Sequence, residues 1–159
     1  MKIKIILFLN LIIFFLQSTV IQHFRIADIV PNLNLIVIVI FVIYFDIKSI
    51  VIYSLIAGLL QDLFLSPYIG INIFLYLIVA LTITNFESVF NKVSFISPVF
   101  LISVATLMYN SIFFIFLSIM NLSYGIYEFF NILIIEIVLN MIWMIIIYKF
   151  VKTKLLERW

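Results

Sequence analysis

Six long apolar stretches, separated by short polar gaps, take up nearly all of this 159-residue chain. That alternation leaves little choice of fold. A backbone placed in hydrocarbon must satisfy its own polar groups, so each stretch is predicted to be a helix lying in a membrane. The expected spans run over about 5–21, 30–45, 50–65, 67–83, 97–120 and 127–151. Together they predict one transmembrane domain over 1–159, an all-α integral membrane protein built as a six-transmembrane-helix bundle. The longest polar gap is about ten residues, so no aqueous domain fits between spans. Composition agrees, since 67% apolar and 10% charged residues with a mean hydropathy of +1.40 lie far from soluble globular values.

Charge placement orients the bundle. With the amino terminus inside, Lys2, Lys4, Lys48, Lys92, Lys149, Lys152, Lys154 and Arg158 are all cytoplasmic, and of the nine Lys and Arg residues only Arg25 is outside. The positive-inside bias therefore predicts cytoplasmic N and C termini in a multi-pass protein of the bacterial cytoplasmic (inner) membrane. Lys2 and Lys4 precede the first span as in a signal peptide, but no small-x-small cleavage site follows, so that span is expected to stay attached. Trp143, Tyr148 and Trp159 beside the terminal basic residues are expected to anchor the last helix at the inner interface, among membrane lipids. Spans one to four are about 16 residues each and the last two exceed 20, so the early helices are expected to be shielded by protein or to sit in thinned bilayer. Pro31, Pro67 and Pro98 stand where helices should begin, with Ser66 and Ser97 placed as caps. The absence of cysteine excludes disulfides and thiolate metal sites, and the net charge of +2 reflects topology rather than a nucleic-acid partner.

Polar residues within spans are costly in lipid, which makes them the best pointers to function. Ser54, Gly58 and Asp62 recur every four residues and give span three a small, small, acidic stripe suited to close helix contact. Asp62 is expected to meet free backbone N–H groups at the Ser66-Pro67 helix start. It serves there either as a structural clasp or as a ligand or ion site. In span six, Glu136 and Asn140 lie one turn apart, with Asn131 and Glu128 nearer the outer end. Ser103, Thr106 and Asn110 form a matching stripe in span five. The two stripes either clip the helices together or form a substrate, proton or partner-helix site. Asn10 and Gln17 make a similar stripe in span one, suited to packing or helix–helix recognition. The lone histidine, His23, has no acid or hydroxyl at a nucleophile–base spacing, and the three glycines are isolated. No catalytic residue, metal or cofactor is expected.

The run Gly58-Leu-Leu-Gln-Asp62-Leu-Phe-Leu-Ser-Pro67-Tyr-Ile-Gly70-Ile-Asn72 resembles the rod shape-determining protein MreD family. That family pairs a Gly-Leu-Leu-x-Asp helix end with a Pro-x-x-Gly-like turn and a further apolar helix. Val30-Pro31-Asn32-Leu33-Asn34-Leu35 is similar to the start of its second span. From about Phe86 onward the match is in hydrophobic pattern alone, so the resemblance assigns no role to Glu128 or Glu136. It implies a non-enzymatic subunit of the cell-elongation complex that binds the bitopic protein MreC. Through MreC it would help link MreB filaments to RodA and its partner transpeptidase, positioning peptidoglycan synthesis to maintain cell shape. On that reading Asp62 fixes the loop through Pro67 and Gly70 for a partner to recognise, and Ser54, Gly58, Asp62, Glu136, Asn140 and Asn110 are the structural or partner-binding candidates. The alternative is the substrate-binding S component of an energy-coupling factor vitamin transporter, which is similar in size and six-span architecture. Fold alone does not separate the two. The short loops Leu65 to Gly70 and Asn121 to Glu128 carry few donors for a captured vitamin and place that reading second.

Overall fold

The apolar stretches fold as helices throughout. A computed structural model describes residues 3–87 and 96–156. These form α1 (Ile3–Phe15), α2 (Leu33–Tyr44), α3 (Ile47–Phe64), α4 (Ile71–Glu87), α5 (Ile96–Ile119) and α6 (Ile126–Leu156). The architecture is all-α, and the described residues contain no strand beyond a single bridge between Ile26 and Ile29. Four helical segments, Ile3–Phe24, Ile47–Phe64, Ile96–Ile119 and Ile126–Thr153, are long and apolar enough to cross a membrane, while α2 and Ile71–Asn85 of α4 are shorter.

The short α2 is the centre of the bundle. Its 12 residues rise about 18 Å, well short of the ~30 Å of hydrocarbon. Every residue from Leu33 to Ile43 is buried, and the helix packs against α1, α3, α4, α5 and α6. A helix that is apolar all round is one surrounded by protein. α2 is therefore shielded by its neighbours, the first of the two alternatives its length had raised.

The amino end of α2 is closed by α1. After Phe15 the α-helix loosens into a π turn, Leu16–Val20, and a 3-10 turn, Ile21–Phe24. Ser18 and Thr19 turn their hydroxyls back onto the Phe15 carbonyl, a local bond that competes with regular helix. The Phe14 ring packs on Phe64 at the end of α3 (5.4 Å between centroids) and the Phe24 ring on Trp143 of α6 (5.2 Å). The turns thus cross over the start of α2 from one side of the bundle to the other. Trp143 is occupied by this contact, and Tyr148 is only 1% exposed and accepts a hydrogen bond from Tyr44. Tyr148 is a core residue rather than the lipid anchor its sequence position pointed to. Lys2, Lys92, Arg158 and Trp159 lie outside the described residues, as does the side chain of Lys154.

Helix starts differ from the prolines that announce them. α2 begins at Leu33, because Asn32 rather than Pro31 supplies the cap, its Oδ1 accepting from the Leu35 N–H at 3.2 Å. α3 begins after Asp46, whose carboxyl accepts from the Ser49 hydroxyl at 2.8 Å and the Ser49 N–H at 3.2 Å. The Ser49 hydroxyl, helped by that N–H, holds the Asp46 carboxyl below its ordinary pKa of 3.8. α4 begins at Ile71 instead of at Pro67, and residues 66–70 form a turn. There Ser66 Oγ accepts from the Tyr68 N–H at 3.2 Å, and Gly70 takes φ +97°, a conformation open to a residue without Cβ.

Candidate functional site

Asp62 explains the late start of α4. The residue is 1% exposed and aims its carboxyl at the first turn of the next helix. Oδ2 accepts from the N–H groups of Gly70 (2.9 Å) and Ile73 (3.1 Å). Oδ1 accepts from the N–H of Asn72 (3.0 Å) and from its Nδ2 (2.8 Å). The first N–H groups of a helix have no partner within it and carry partial positive charge, so a carboxyl borrowed from α3 satisfies both needs. Gly58, one turn before Asp62, makes the approach possible. A Cβ there would lie 2.6 Å from the Ile73 nitrogen and 2.8 Å from the Asn72 carbonyl oxygen. Ser54, a further turn back, is fully buried and bonds only its own helix, donating to the Ile50 carbonyl at 2.9 Å.

From this clasp a polar chain runs through the bundle. Asn72 Oδ1 accepts from the Tyr109 hydroxyl of α5, and the Tyr109 ring stacks on Tyr76 at 5.4 Å. The Tyr76 hydroxyl donates to Asn32 Oδ1 at 3.2 Å. The Asn32 N–H in turn donates to Asn140 Oδ1 of α6 at 2.7 Å, and Asn140 Nδ2 donates to Thr106 Oγ1 of α5 at 2.9 Å. One turn nearer the connection between α5 and α6, Asn110 Nδ2 donates to Glu136 Oε2 at 2.9 Å. The stripes on α5 and α6 thus face each other through two bonds. Ser103 stays outside this pairing and bonds the Val99 carbonyl of its own helix.

The buried start of α2 is satisfied by the same means. Gln17, in the π turn, donates from Nε2 to the Pro31 carbonyl at 3.0 Å and accepts at Oε1 from the Leu33 N–H at 2.8 Å. Asn140 and Asn32 take the neighbouring donors. A helix end placed inside a bundle, away from water, requires such partners.

Among the candidates singled out by sequence, Asp62 and Gly70 come together at the clasp, and Asn110, Asn140 and Glu136 come together on the α5–α6 seam. Pro67 and Gly70 border an apolar groove of about 760 Å³ shared with Phe74 on α4, Ile112 and Phe116 on α5 and Met120 just beyond it. Asn10 faces inward at 1% exposure and donates to its own Ile6 carbonyl, while Gln17 serves the start of α2. His23 is exposed on the 3-10 turn, its Nδ1 3.0 Å from the Thr19 oxygen. Reasoning from sequence passed over Asn32, Asn72, Tyr76 and Tyr109, the links of the polar chain. Asn32 alone carried a local signal, an Asn immediately before an apolar helical run.

A second feature adjoins the seam. Gln17, Gln61, Tyr109, Asn110 and Glu136, with Asp28 to Val30, Asn32 and the apolar Leu65, Phe113 and Ile132, line a cavity of about 480 Å³ of mixed polarity. Asp28, with a side chain 93% exposed, stands at its rim, while Glu136 and Asn110 are buried in its wall.

No curated protein and no solved structure matches this chain. The family model of the rod shape-determining protein MreD does, over residues 2–154. The match takes in the Asp62 clasp, the turn through Gly70 and the α5–α6 seam in which Asn110, Glu136 and Asn140 meet. With an all-helical fold and four helices long enough to cross a bilayer, the chain belongs to the MreD family and is a multi-pass inner-membrane protein of rod-shape determination.

Proposed function

We propose that this protein is a non-enzymatic scaffold subunit of the cell-elongation complex. It binds the single-span protein MreC and through it helps hold RodA, its partner transpeptidase and, indirectly, MreB at sites of peptidoglycan synthesis. In this reading all six helices cross the membrane as one domain, with both termini cytoplasmic. α2 and α4 reach the outer face through the segments at 25–32 and 65–70. The observation that carries the proposal is the Asp62 clasp. Four hydrogen bonds hold a loop that presents Ile69, at 79% exposure, away from the bundle, next to Phe64, at 66% exposure, at the end of α3. A rigid loop presenting apolar side chains beside an apolar groove is a surface for another protein's helix, since close packing rather than hydrophobicity selects partners in lipid.

Affinity purification of the tagged protein from native membranes tests this. MreC is expected to co-purify with the wild type and to be lost from Asp62→Ala at equal membrane abundance. Undiminished MreC with the variant would refute the role given to the clasp. The S-component reading draws on one observation, the cavity beside Glu136. Recovery of an ATPase module and a bound vitamin in place of MreC would establish it.

A further inference from the structure

A second apolar groove lies at the start of α5, the opposite end of that helix from the groove beside Gly70. Val99 and Phe100 of α5 and Met141, Met144, Ile145 and Tyr148 of α6 line a space of about 590 Å³. The two hydroxyls on its wall are spent within the protein: Ser103 donates to the Val99 carbonyl and Tyr148 pairs with Tyr44. No acid lines it. An occupant is therefore offered no free side-chain hydroxyl or charge, which suits hydrocarbon. Apart from Ser103, the wall also lacks the small residues that let another helix approach closely. Its methionines adapt to an irregular, flexible guest instead.

The face of α6 that lines the groove runs on into basic residues. Lys149 stands one turn beyond Ile145 and Lys152 one turn beyond Tyr148, so both lie on the groove side of the helix. Side chains on a helix tilt towards its N-terminus, which leans these two back over the groove. Depth agrees. The 31 residues of α6 rise about 46 Å, whereas about 20 residues cross the hydrocarbon. Counted from Tyr127, an aromatic side chain 83% exposed at the start of the helix, that core ends near Ile147. Lys149 and Lys152 then stand among headgroups, with the groove directly beneath them. We propose that the groove holds one acyl chain of an anionic glycerophospholipid whose phosphate is met by Lys149 and Lys152. A zwitterionic lipid brings the same chains and phosphate but adds a cation beside the lysines, so charge selects the lipid. The site shares no residue with the Asp62 clasp or the groove beside Gly70, and does not depend on which protein binds there.

The test uses the full-length protein, freed of lipid in detergent and followed by native mass spectrometry. It is titrated with a short-chain phosphatidylglycerol, with phosphatidylcholine of the same chains, and with glycerol 3-phosphate, which has the phosphate and no chains. Phosphatidylglycerol is expected to bind about tenfold more tightly than phosphatidylcholine, the effect of two lysines near a lipid surface, and glycerol 3-phosphate not to bind in the same range. Lys149→Gln combined with Lys152→Gln is expected to remove the preference, and Lys48→Gln, on α3, to keep it. Ile145→Trp, at a position 51% exposed, fills the groove and is expected to weaken phosphatidylglycerol binding severalfold. Equal binding of the two lipids by the wild type, or a preference that survives the double substitution or falls equally with Lys48→Gln, would overturn the proposal. Undiminished binding by Ile145→Trp, or glycerol 3-phosphate binding as tightly as the lipid, would do the same. So would a protein in the groove: Ile145→Cys, the sole thiol in this cysteine-free chain, is expected neither to form a disulfide-linked dimer in native membranes nor to photocrosslink to another protein's span.

Discussion

Gly58 sets how closely α3 and α4 approach. The atoms a Cβ would meet are the Ile73 nitrogen and the Asn72 carbonyl oxygen, backbone atoms that cannot rotate aside. The Ile73 N–H and the Asn72 side chain are also held by Asp62, so displacing them disturbs the clasp. Gly58→Ala is therefore expected to cost about 1–3 kcal/mol. The thermal unfolding midpoint of the detergent-solubilised protein should fall, and an unchanged midpoint would show that α4 gives way freely. Asp62, Asn110, Glu136 and Asn140 stood out in the sequence because a polar side chain in an apolar run is conspicuous whatever it touches. Their partners were not legible. Asn32 and Asn140 are 108 residues apart, and no periodicity relates them. Tyr76 and Tyr109 were hidden for the opposite reason, since an aromatic ring in a membrane span reads as one more apolar residue.

Helix ends show how far local pattern reaches. Each proline marked a boundary to within a few residues, because proline disfavours continuing a helix from the N-terminal side. The true start was chosen by whichever acceptor reached the free N–H groups. For α3 that acceptor is local, Asp46. Its carboxyl is held below the ordinary range in the folded protein, so its contribution to stability is complete above that range and is lost as pH falls through the lowered value. The difference in unfolding midpoint between wild type and Asp46→Asn should accordingly be largest near neutral pH and shrink as the medium is made acidic enough to protonate the lowered carboxyl. A difference independent of pH would mean that the carboxyl's charge plays no part in the cap. For α2 the acceptor comes from another element. Gln17→Leu would leave the Leu33 N–H and the Pro31 carbonyl without partners inside the bundle, and is expected to destabilise the fold by about 1–3 kcal/mol. Hydrogen exchange is the sensitive measurement, with faster exchange expected at Leu33 to Leu35 and none of comparable size in α3. The pairing of Asn10 with Gln17 in sequence pointed to a shared helical face. The π turn at Leu16–Val20 gave Gln17 a separate task, and no sequence periodicity announces a π turn.

Over the whole molecule, charge and hydropathy made the membrane class readable, while helix length was a poorer guide. The short length of α2 left two readings open, shielding by protein or a thinned bilayer, and the helix is the buried axis around which the other helices pack. The proposed orientation can be tested on an existing blank background, because the chain has no cysteine. In intact cells with the outer membrane permeabilised, Asp28→Cys is expected to react with a membrane-impermeant maleimide. Lys48→Cys should react only after the inner membrane is opened. The reverse pattern would invert the bundle, and labelling of both in intact cells would remove α2 from the set of crossing helices.

The bond from the Asn32 N–H to Asn140 also orders the protein's biogenesis. Ribosomes add on the order of 5–20 residues per second, so the start of α2 leaves the ribosome many seconds before the side chain that completes it. During that interval a 12-residue helix, too short to settle in lipid alone, has an open end. It must be sheltered by the insertion machinery or by α1 until the last helix arrives. A chain released before α6 would leave the Asn32 backbone donor without its partner inside the bundle, the kind of defect by which membrane proteases select incomplete polypeptides.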